Sequence, residues 1–210
     1  VIFNPRPERC LMIEELQKRI EEQRMLMAGI CCPARNINTA TLESVLSLGI
    51  EIAREGREGR KIGTMFIISD TEETLRHSRP LILDPLYGHP DSLKRADDPN
   101  MRETVKELAQ MDGAFIVSDD GIFVSACRYI FPASQDIDLP LGFGSRHLAG
   151  ASITKKTNSV AVVVSESSMV RVFDNGMVVG EIIPELWFLR EYSSEKNLSL
   201  ASARGGAAVS

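Results

Sequence analysis

The amino-acid sequence predicts an α/β fold, a mixed β-sheet flanked by helices on both faces, with an N-terminal amphipathic helical extension. Two apolar, β-branched segments, Ile62 to Asp70 and Val160 to Ser165, have the composition of strands buried on both faces. Two further pairs of strand-like segments are each joined by an Asp-Gly or Asn-Gly turn signal. Segments with helical periodicity alternate with these strands, as in a sheet covered by helices.

The length of 210 residues and the 43% hydrophobic content suit one substantial core with extensions rather than two full domains. We therefore divide the chain into an N-terminal helical extension at residues 1–38, an α/β domain at 39–192 and a flexible C-terminal tail at 193–210. The tail is rich in Ser, Ala and Gly and offers few apolar anchors.

The charge and cysteine content restrict the class of protein. A net charge of -5 argues against a nucleic-acid polymer as partner, because such binding requires many phosphates to be neutralised. No apolar run approaches the roughly 20 residues that span a bilayer, so we expect no membrane segment. The 4 cysteines show neither a metal-binding spacing nor the density of a secreted scaffold, which favours reduced thiols in a cytoplasmic protein. A cysteine nucleophile is the minor alternative.

Two helices are predicted in the first third of the chain. Glu8 to Met27 is a charged segment with an apolar stripe, for which packing against the following domain is favoured over a regulatory or oligomerising role. A second helix begins near Thr39 or Thr41, and Gly56 and Gly59 end it. The residues of its apolar face are Leu42, Val45, Leu46, Gly49, Ile50 and Ala53.

The middle of the chain has weaker patterns. After the strand at Ile62 to Asp70, the four prolines between Thr71 and Asn100 predict mostly connection, with short pieces of structure. Met101 to Gln110 predicts a short helix. Ala114 to Val117 and Ile122 to Ala126 then predict a hairpin.

The last third of the predicted domain repeats this alternation. Arg146 to Thr157 is expected to be helical and Val160 to Ser165 to be a core strand. Val170 to Phe173 and Met177 to Ile182 flank an Asn-Gly turn and predict a second hairpin.

A glycine-rich loop before the helix at Arg146 is a candidate anion site. Gly142 and Gly144 allow close approach of a ligand, Ser145 is a candidate N-cap, and the first N–H groups of the helix are free to bind an anion. Arg146 and His147 add side-chain donors at the same place. At a helix N-terminus the charged imidazole is disfavoured, which leaves His147 a neutral hydrogen-bonding role or an acid role.

Asp112 and Gly113 stand at the entrance to a core strand, followed by Ala114. A carboxylate there, next to a glycine, suits Mg²⁺ or Mn²⁺, which are held by one or two carboxylates plus substrate phosphates. The alternative is a plain turn in which Asp112 only caps backbone donors.

Three motifs together resemble the signature of the diadenylate cyclase family: Asp112-Gly113-Ala114, Gly144-Ser145-Arg146-His147 and Val162 to Glu166. Their order and spacing match, as does the hairpin between the first two. The resemblance covers roughly Leu42 to Glu185 and is closest to archaeal-type or stand-alone members. It implies that residues 39–192 are a diadenylate cyclase domain, which condenses two ATP molecules into cyclic di-AMP and two pyrophosphates between two face-to-face protomers.

The resemblance also implies roles for individual residues. Asp112 would bind the catalytic Mg²⁺ or Mn²⁺ and help to activate the ribose 3′-hydroxyl, with Arg146 and His147 as the other catalytic residues. Ser165 would contact the nucleotide, and Ile130 would cover the adenine. The implied ATP-binding residues are Gly113, Ala114, Ile130, Gly144, Ser145, Arg146, His147, Ser165 and Glu166.

One position departs from the family pattern. The family usually continues Arg-His-Arg, whereas Leu148 stands at the third position here and removes a cation from the phosphate site. Lys155 and Lys156 further along the helix are candidates to compensate, although such a pair is more often a solvated face. Leu148 therefore motivates a second hypothesis, a catalytically weak or silent nucleotide-binding or sensing module. In either case we expect a homodimer or higher homo-oligomer.

Overall fold

The structure is a computed structural model, which describes residues 18, 37–131, 137, 139–185 and 187. The predicted helix from Glu8 to Met27, apart from Lys18, and the tail at 193–210 therefore lie outside the described residues. The division of the chain into three parts stays a prediction.

The described elements alternate between helices and strands along the chain. The helices are α1 (Thr39–Glu55), α2 (Thr71–Arg76), α3 (Pro99–Leu108) and α4 (Ser145–Lys156), with a short 3-10 helix at Asp91–Leu93. The strands are β1 (Thr64–Ile68), β2 (Ser78–Pro80), β3 (Ala114–Val117), β4 (Phe123–Ile130), β5 (Val160–Val164), β6 (Val170–Asp174) and β7 (Met177–Ile182). None of the described helices has the length and apolar content needed to cross a membrane.

The strands form one 7-stranded sheet in the order β2-β4-β3-β1-β5-β6-β7. β1 and β3 are parallel, and the other five pairs of neighbours are antiparallel. The predicted mixed sheet is thus confirmed, and its three central strands are β3, β1 and β5.

Alternate residues of the central strands supply two cores, one on each face of the sheet. Phe66 and Ile68 lie in the same cluster as the apolar faces of α1 and α3. Met65 and Ile67 lie in the other cluster, with Ala151 and Ile153 of α4. Helices therefore cover both faces, as predicted.

α1 begins at Thr39, one of the two predicted starts, and its N-cap is the residue before it. Asn38 is the N-cap, and its side chain accepts a hydrogen bond from Ala40 N at 2.9 Å. Thr41 is buried instead, where its hydroxyl donates to Asp119 O at 2.9 Å. The helix ends as expected at Gly56, whose φ of 60° is a backbone conformation that glycine tolerates best.

The segment from Thr71 to Asn100 contains more structure than the prolines suggested. It includes α2, the edge strand β2 and the start of α3, where Pro99 follows the N-cap Asp98. β4 is also longer than predicted and extends to Ile130, because its second half pairs with β2.

Candidate functional site

Three separate chain segments meet at one end of the central strands. The sheet register pairs Met65 with Ala114 and Thr64 with Val164. If both registers are continued past the strand ends, the residue before β1 lies between two other segments. On one side is the Asp112-Gly113 turn, and on the other is Ser165, directly after β5. α4 begins beside them, and this junction brings the three sequence motifs together.

Arg146 links the carboxylates of two of these segments. Its Nη2 donates to Asp112 Oδ1 at 3.1 Å and its Nη1 donates to Glu166 Oε1 at 3.0 Å. The arginine side chain is 33% exposed, whereas those of Asp112 and Glu166 are 85% and 68% exposed. We refer to Asp112, Arg146 and Glu166 as the strand-end cluster. Its carboxylates face solvent and are open to a ligand.

Gly63, which was not among the site residues predicted from the sequence, makes room for this cluster. A Cβ atom at this buried position would lie 2.7 Å from Arg146 Nη1 and 3.2 Å from Glu166 Cγ. The glycine therefore lets the guanidinium pass over the start of β1. Its signal in the sequence is a glycine directly before a largely apolar strand, a pattern also typical of a simple bend.

Position 113 requires glycine because of its backbone conformation and a close backbone neighbour, not because a side chain of the site needs the space. Its φ is 112°, and a Cβ atom would lie 2.5 Å from the carbonyl carbon of Cys127. Cys127 itself has a φ of 54°, where the register of β3 and β4 shifts. This close contact between two backbones sets the position at which Asp112 leaves the sheet.

The N-cap of α4 is Gly144 rather than the predicted Ser145. Ser145 is the first helical residue and is exposed, so that its hydroxyl lies at the surface beside the start of the helix. The N–H groups of His147 and Leu148 bond to Gly144 O at 3.1 and 3.2 Å. The N–H groups of Ser145 and Arg146 are the first two of the helix and lie next to the strand-end cluster.

His147 lies inside the domain and not at the surface of the phosphate site. The residue is 6% exposed, and its ring packs against Phe143 and Phe173 at centroid distances of 4.8 and 6.0 Å. Burial, with the positive charges of Arg171 and Arg146, lowers the pKa of the imidazole despite the opposing effect of Glu181. The neutral form is therefore favoured, and the predicted direct grip of this ring on a phosphate conflicts with its burial.

A second arginine, which was also not among the predicted site residues, connects His147 to the edge of the sheet. Arg171 Nη1 lies 3.1 Å from His147 Nε2, and Arg171 Nε donates to Glu181 Oε1 at 2.6 Å. The guanidinium also lies over the ring of Phe143, 4.6 Å from its centroid. The sequence signal for this role was a charged residue between two valines of the strand β6.

Ser165 closes the turn between β5 and β6. Its hydroxyl accepts a hydrogen bond from Ser167 N at 3.1 Å, and its N–H donates to Met169 O at 2.9 Å. Its hydroxyl also lies 2.7 Å from that of Ser167. The turn directs Glu166 toward Arg146.

Two residues expected to contact a nucleotide are in the core. Ala114 is 0% exposed and Ile130 is 4% exposed, and both belong to the cluster beneath α4. Ile130 is buried because β4 continues to this residue, where Ser78 of β2 pairs with it. Its side chain is therefore not free to cover an adenine, and Ala114 can approach a ligand only through its backbone.

The two lysines that were candidates to compensate for Leu148 are exposed at the other end of its helix. Lys155 and Lys156 end α4, about 10 Å or more along the axis from Leu148 at 1.5 Å per residue. Lys155 instead packs on the hairpin turn, where a Cβ atom at Gly176 would lie 3.0 Å from its Cδ. Leu148 is 43% exposed on the first turn.

Comparison with known proteins places most of the described domain in a family. A family model described as DisA bacterial checkpoint controller nucleotide-binding (DAC) matches residues 51–178. A diadenylate cyclase of Methanocaldococcus jannaschii is 48% identical over 145 residues, which are 69% of this chain and 46% of the relative. A diadenylate cyclase of Haloferax volcanii is 39% identical over 147 residues, 70% of this chain and 54% of the relative. The chain thus spans about half the length of these curated relatives.

Two solved structures are more distantly similar. A double mutant of DacA from Staphylococcus aureus has a TM-score of 0.47 and 18% identity, over 70% of this chain and 90% of that one. A hypothetical membrane spanning protein from Bacillus cereus has a TM-score of 0.49 and 19% identity, over 67% of this chain and 66% of that one.

Proposed function

The chain belongs to the DAC nucleotide-binding family, and from this membership we propose that it is a nucleotidyltransferase, a diadenylate cyclase that condenses two ATP into cyclic di-AMP and two pyrophosphates. The observation that supports this most is the strand-end cluster. It brings Asp112 of one motif, Arg146 of a second and Glu166 of the third into direct contact. Residues that share one ligand site are expected to meet in this way.

In this proposal the triphosphate of ATP lies at the start of α4. The N–H groups of Ser145 and Arg146, the hydroxyl of Ser145 and the guanidinium of Arg146 bind its oxygens. Gly113 and Ala114 contribute backbone next to the nucleotide, and Ser165 holds the turn that carries Glu166. His147 acts from beneath the loop, since its ring is buried and its Nδ1 lies 3.3 Å from Gly144 N rather than in solvent.

A divalent cation, Mg²⁺ or Mn²⁺, fits the donor set at Asp112. Among the described residues no group of three or more His, Cys, Asp and Glu side chains could hold a metal ion. The protein therefore offers the carboxylate of Asp112, with Glu166 on the other side of Arg146, and nucleotide phosphates complete the coordination. When bound, the cation would neutralise charge that develops on the phosphates and lower the pKa of the attacking hydroxyl. Arg146 positions the α-phosphate and stabilises the same charge.

Two protomers are needed for the complete reaction. Each 3′-oxygen forms a bond to the α-phosphorus of the other nucleotide, pyrophosphate leaves from each, and each hydroxyl proton is released. One strand-end cluster can position one ATP, and its carboxylates are exposed at the end of the sheet. We therefore propose that two sites face each other in a homodimer or within a higher homo-oligomer.

The decisive experiment is incubation of the purified protein with ATP and Mn²⁺ or Mg²⁺, followed by mass spectrometry. We expect cyclic di-AMP and pyrophosphate in a ratio of one to two. Folded protein that forms no product with either metal over a range of protein concentrations would refute the cyclase.

A second candidate function follows from Leu148, which leaves the first turn of α4 one cation short of the family pattern. In this alternative the domain binds ATP or cyclic di-AMP without turnover. Calorimetry with both ligands measures binding, and the incubation with ATP measures product. Binding without product would support the silent module.

A further inference from the structure

We propose that Arg171 is a positioning residue for the glycine loop: it sets the tautomer of His147 and so leaves the Gly144 N–H as a donor for a phosphate oxygen of the nucleotide. The role in nucleotide binding rests on the proposed function, whereas the tautomer is a property of the protein alone. Neither Arg171 nor Glu181 belongs to the three family motifs described above.

The guanidinium of Arg171 is held on three sides. Glu181 of β7 accepts from its Nε at 2.6 Å, the ring of Phe143 lies beneath it at 4.6 Å, and its Nη1 reaches His147 Nε2 at 3.1 Å. The side chain is only 17% exposed. A guanidinium fixed by a carboxylate and an aromatic ring has little freedom to turn away from the imidazole.

The imidazole of His147 faces a donor at each of its two nitrogens. Arg171 points at Nε2, while the Gly144 N–H points at Nδ1 with a distance of 3.3 Å between the nitrogens. An arginine always donates and a backbone N–H always donates, but a neutral imidazole accepts at one nitrogen only. The ring can therefore satisfy one of these two donors.

The charged, shorter contact decides which nitrogen accepts. The hydrogen bond from a guanidinium is stronger than the one from a neutral amide, and the Arg171 distance is the shorter of the two. Nε2 is then the acceptor, and Nδ1 carries the proton. The Gly144 N–H then faces the Nδ1–H across 3.3 Å, and both donors lack an acceptor next to the free N–H groups at the start of α4. An anionic oxygen entering the loop would accept from the Gly144 N–H.

The tautomer can be measured by long-range ¹H–¹⁵N NMR correlation on the nucleotide-free protein at neutral pH. The chain has 3 histidines, and loss of one set of signals in His147→Gln assigns this ring. We expect an unprotonated Nε2 and a protonated Nδ1. A proton on Nε2 in the unsubstituted protein would overturn the proposal, and this measurement needs no variant of Arg171.

Two variants at Arg171 test the cause. Arg171→Met removes the donor, so the proton is expected to move to Nε2 and the Gly144 N–H to bond to Nδ1. Arg171→Lys keeps a donor and is expected to keep the proton on Nδ1. An unchanged tautomer in folded Arg171→Met protein would contradict the proposal. If that variant does not fold, Glu181→Gln, which loosens the same guanidinium, is expected to give a mixture of tautomers, and a pure Nδ1–H form would contradict it.

Nucleotide binding supplies the functional readout. We expect the Kd for ATP to rise about tenfold in Arg171→Met, with partial recovery in Arg171→Lys. Arg79→Met is the matched control, because Arg79 also lies over an aromatic ring, that of Tyr129 at 5.3 Å, but on the opposite edge strand β2. An equal loss of affinity in both variants would contradict a specific role. Failure to form cyclic di-AMP would count against the proposed function while leaving the NMR result untouched.

Discussion

Two clusters of ion-paired side chains in this domain lie in different surroundings. One is the strand-end cluster, and the other, the interhelix cluster, lies between α1 and α3. The interhelix cluster consists of Glu51, Arg102 and Lys106. Its side chains are 23%, 16% and 10% exposed, against 85% and 68% for the carboxylates of the strand-end cluster.

The difference lies in how completely each cluster satisfies its own charges. Glu51 receives Arg102 Nη2 at 2.5 Å and Lys106 Nζ at 3.0 Å, so each of its oxygens has a cation. In the strand-end cluster a single guanidinium serves two carboxylates, and each of these uses one oxygen. A saturated, half-buried cluster stabilises the fold, whereas an exposed cluster with unused oxygens can exchange partners with a ligand.

Asp112→Asn most directly tests whether the strand-end cluster serves activity rather than stability. We expect product formation to fall about 10³-fold, because the proposed metal ligand is lost, while the thermal midpoint stays within error for so exposed a side chain. Mass spectrometry of the product and a thermal melt measure the two effects. Asp97→Asn is the control, since Asp97 is also exposed and paired with an arginine, Arg95, at 2.8 Å. Retained activity in folded Asp112→Asn protein would remove Asp112 from the metal role.

Glu51→Gln, in the interhelix cluster, is expected to lower stability and to leave nucleotide binding unchanged. The free energy of unfolding should fall by about 2 kcal/mol in urea titration, because two cations lose a half-buried partner. The Kd for ATP should not change in the folded protein. Glu72→Gln, in an exposed pair on α2, should cost less than about 0.5 kcal/mol. Equal destabilisation by both changes would contradict the distinction.

The same carboxylate predicts a pH dependence of stability. Burial raises the pKa of Glu51, but Lys106 and Arg102 outweigh burial and hold it below the ordinary value of 4.5. The lowered pKa means that the contribution to stability is complete above about pH 4.5 and is lost as the pH falls through the folded-state value. Urea titrations of Glu51→Gln and the unsubstituted protein should therefore differ at neutral pH and converge in acid.

Gly63→Ala tests whether space around Arg146 matters. The new methyl group would displace the end of a flexible side chain, so we expect a small change in stability but about a tenfold rise in the Kd for ATP. A double-mutant cycle with Arg146→Met is the check. If Gly63 acts through Arg146, adding Gly63→Ala to Arg146→Met should have no further effect. Additive losses would show that the glycine acts elsewhere.

Leu148→Arg is expected to have the smallest effect. The side chain is 43% exposed, so the change should leave stability intact and add a cation to the first turn of α4. We expect the Kd for ATP to fall about threefold at low salt and the gain to shrink as salt is added. An affinity that is unchanged at low salt would show that the missing family arginine has no role in nucleotide binding here.

Much of the fold could be predicted because the patterns are local. The bounds of β3 follow from its apolar run between Gly113 and a turn, and β7 has the predicted bounds. β2 could not be predicted, since it has only three residues, ends in proline and is held by backbone pairing with β4. The extension of β4 to Ile130 depends on that same long-range pairing, and the adenine contact was misassigned as a result.

The candidate site divides in the same way. Asp112 and Arg146 stand in short motifs that can be read along the chain, and the structure brings them within 3.1 Å. The contact of Arg171 with His147 spans 24 residues and depends on how α4 docks on β6. Gly63 was missed for a different reason, because its role depends on a side chain that arrives from another segment.

The attachment of the site to the three central strands has a consequence for hydrogen exchange. The strands β3, β1 and β5 each pair with a neighbour on both sides, so we expect their bonded amides to exchange with solvent only when the sheet opens. Gly63 and Ser165 directly adjoin these segments and Asp112 lies two residues before β3, whereas Glu181 lies on the edge strand β7. The strand ends that carry the strand-end cluster should therefore persist until global unfolding. Fraying of the edge strand β7 alone, in contrast, would free the guanidinium of Arg171 from Glu181.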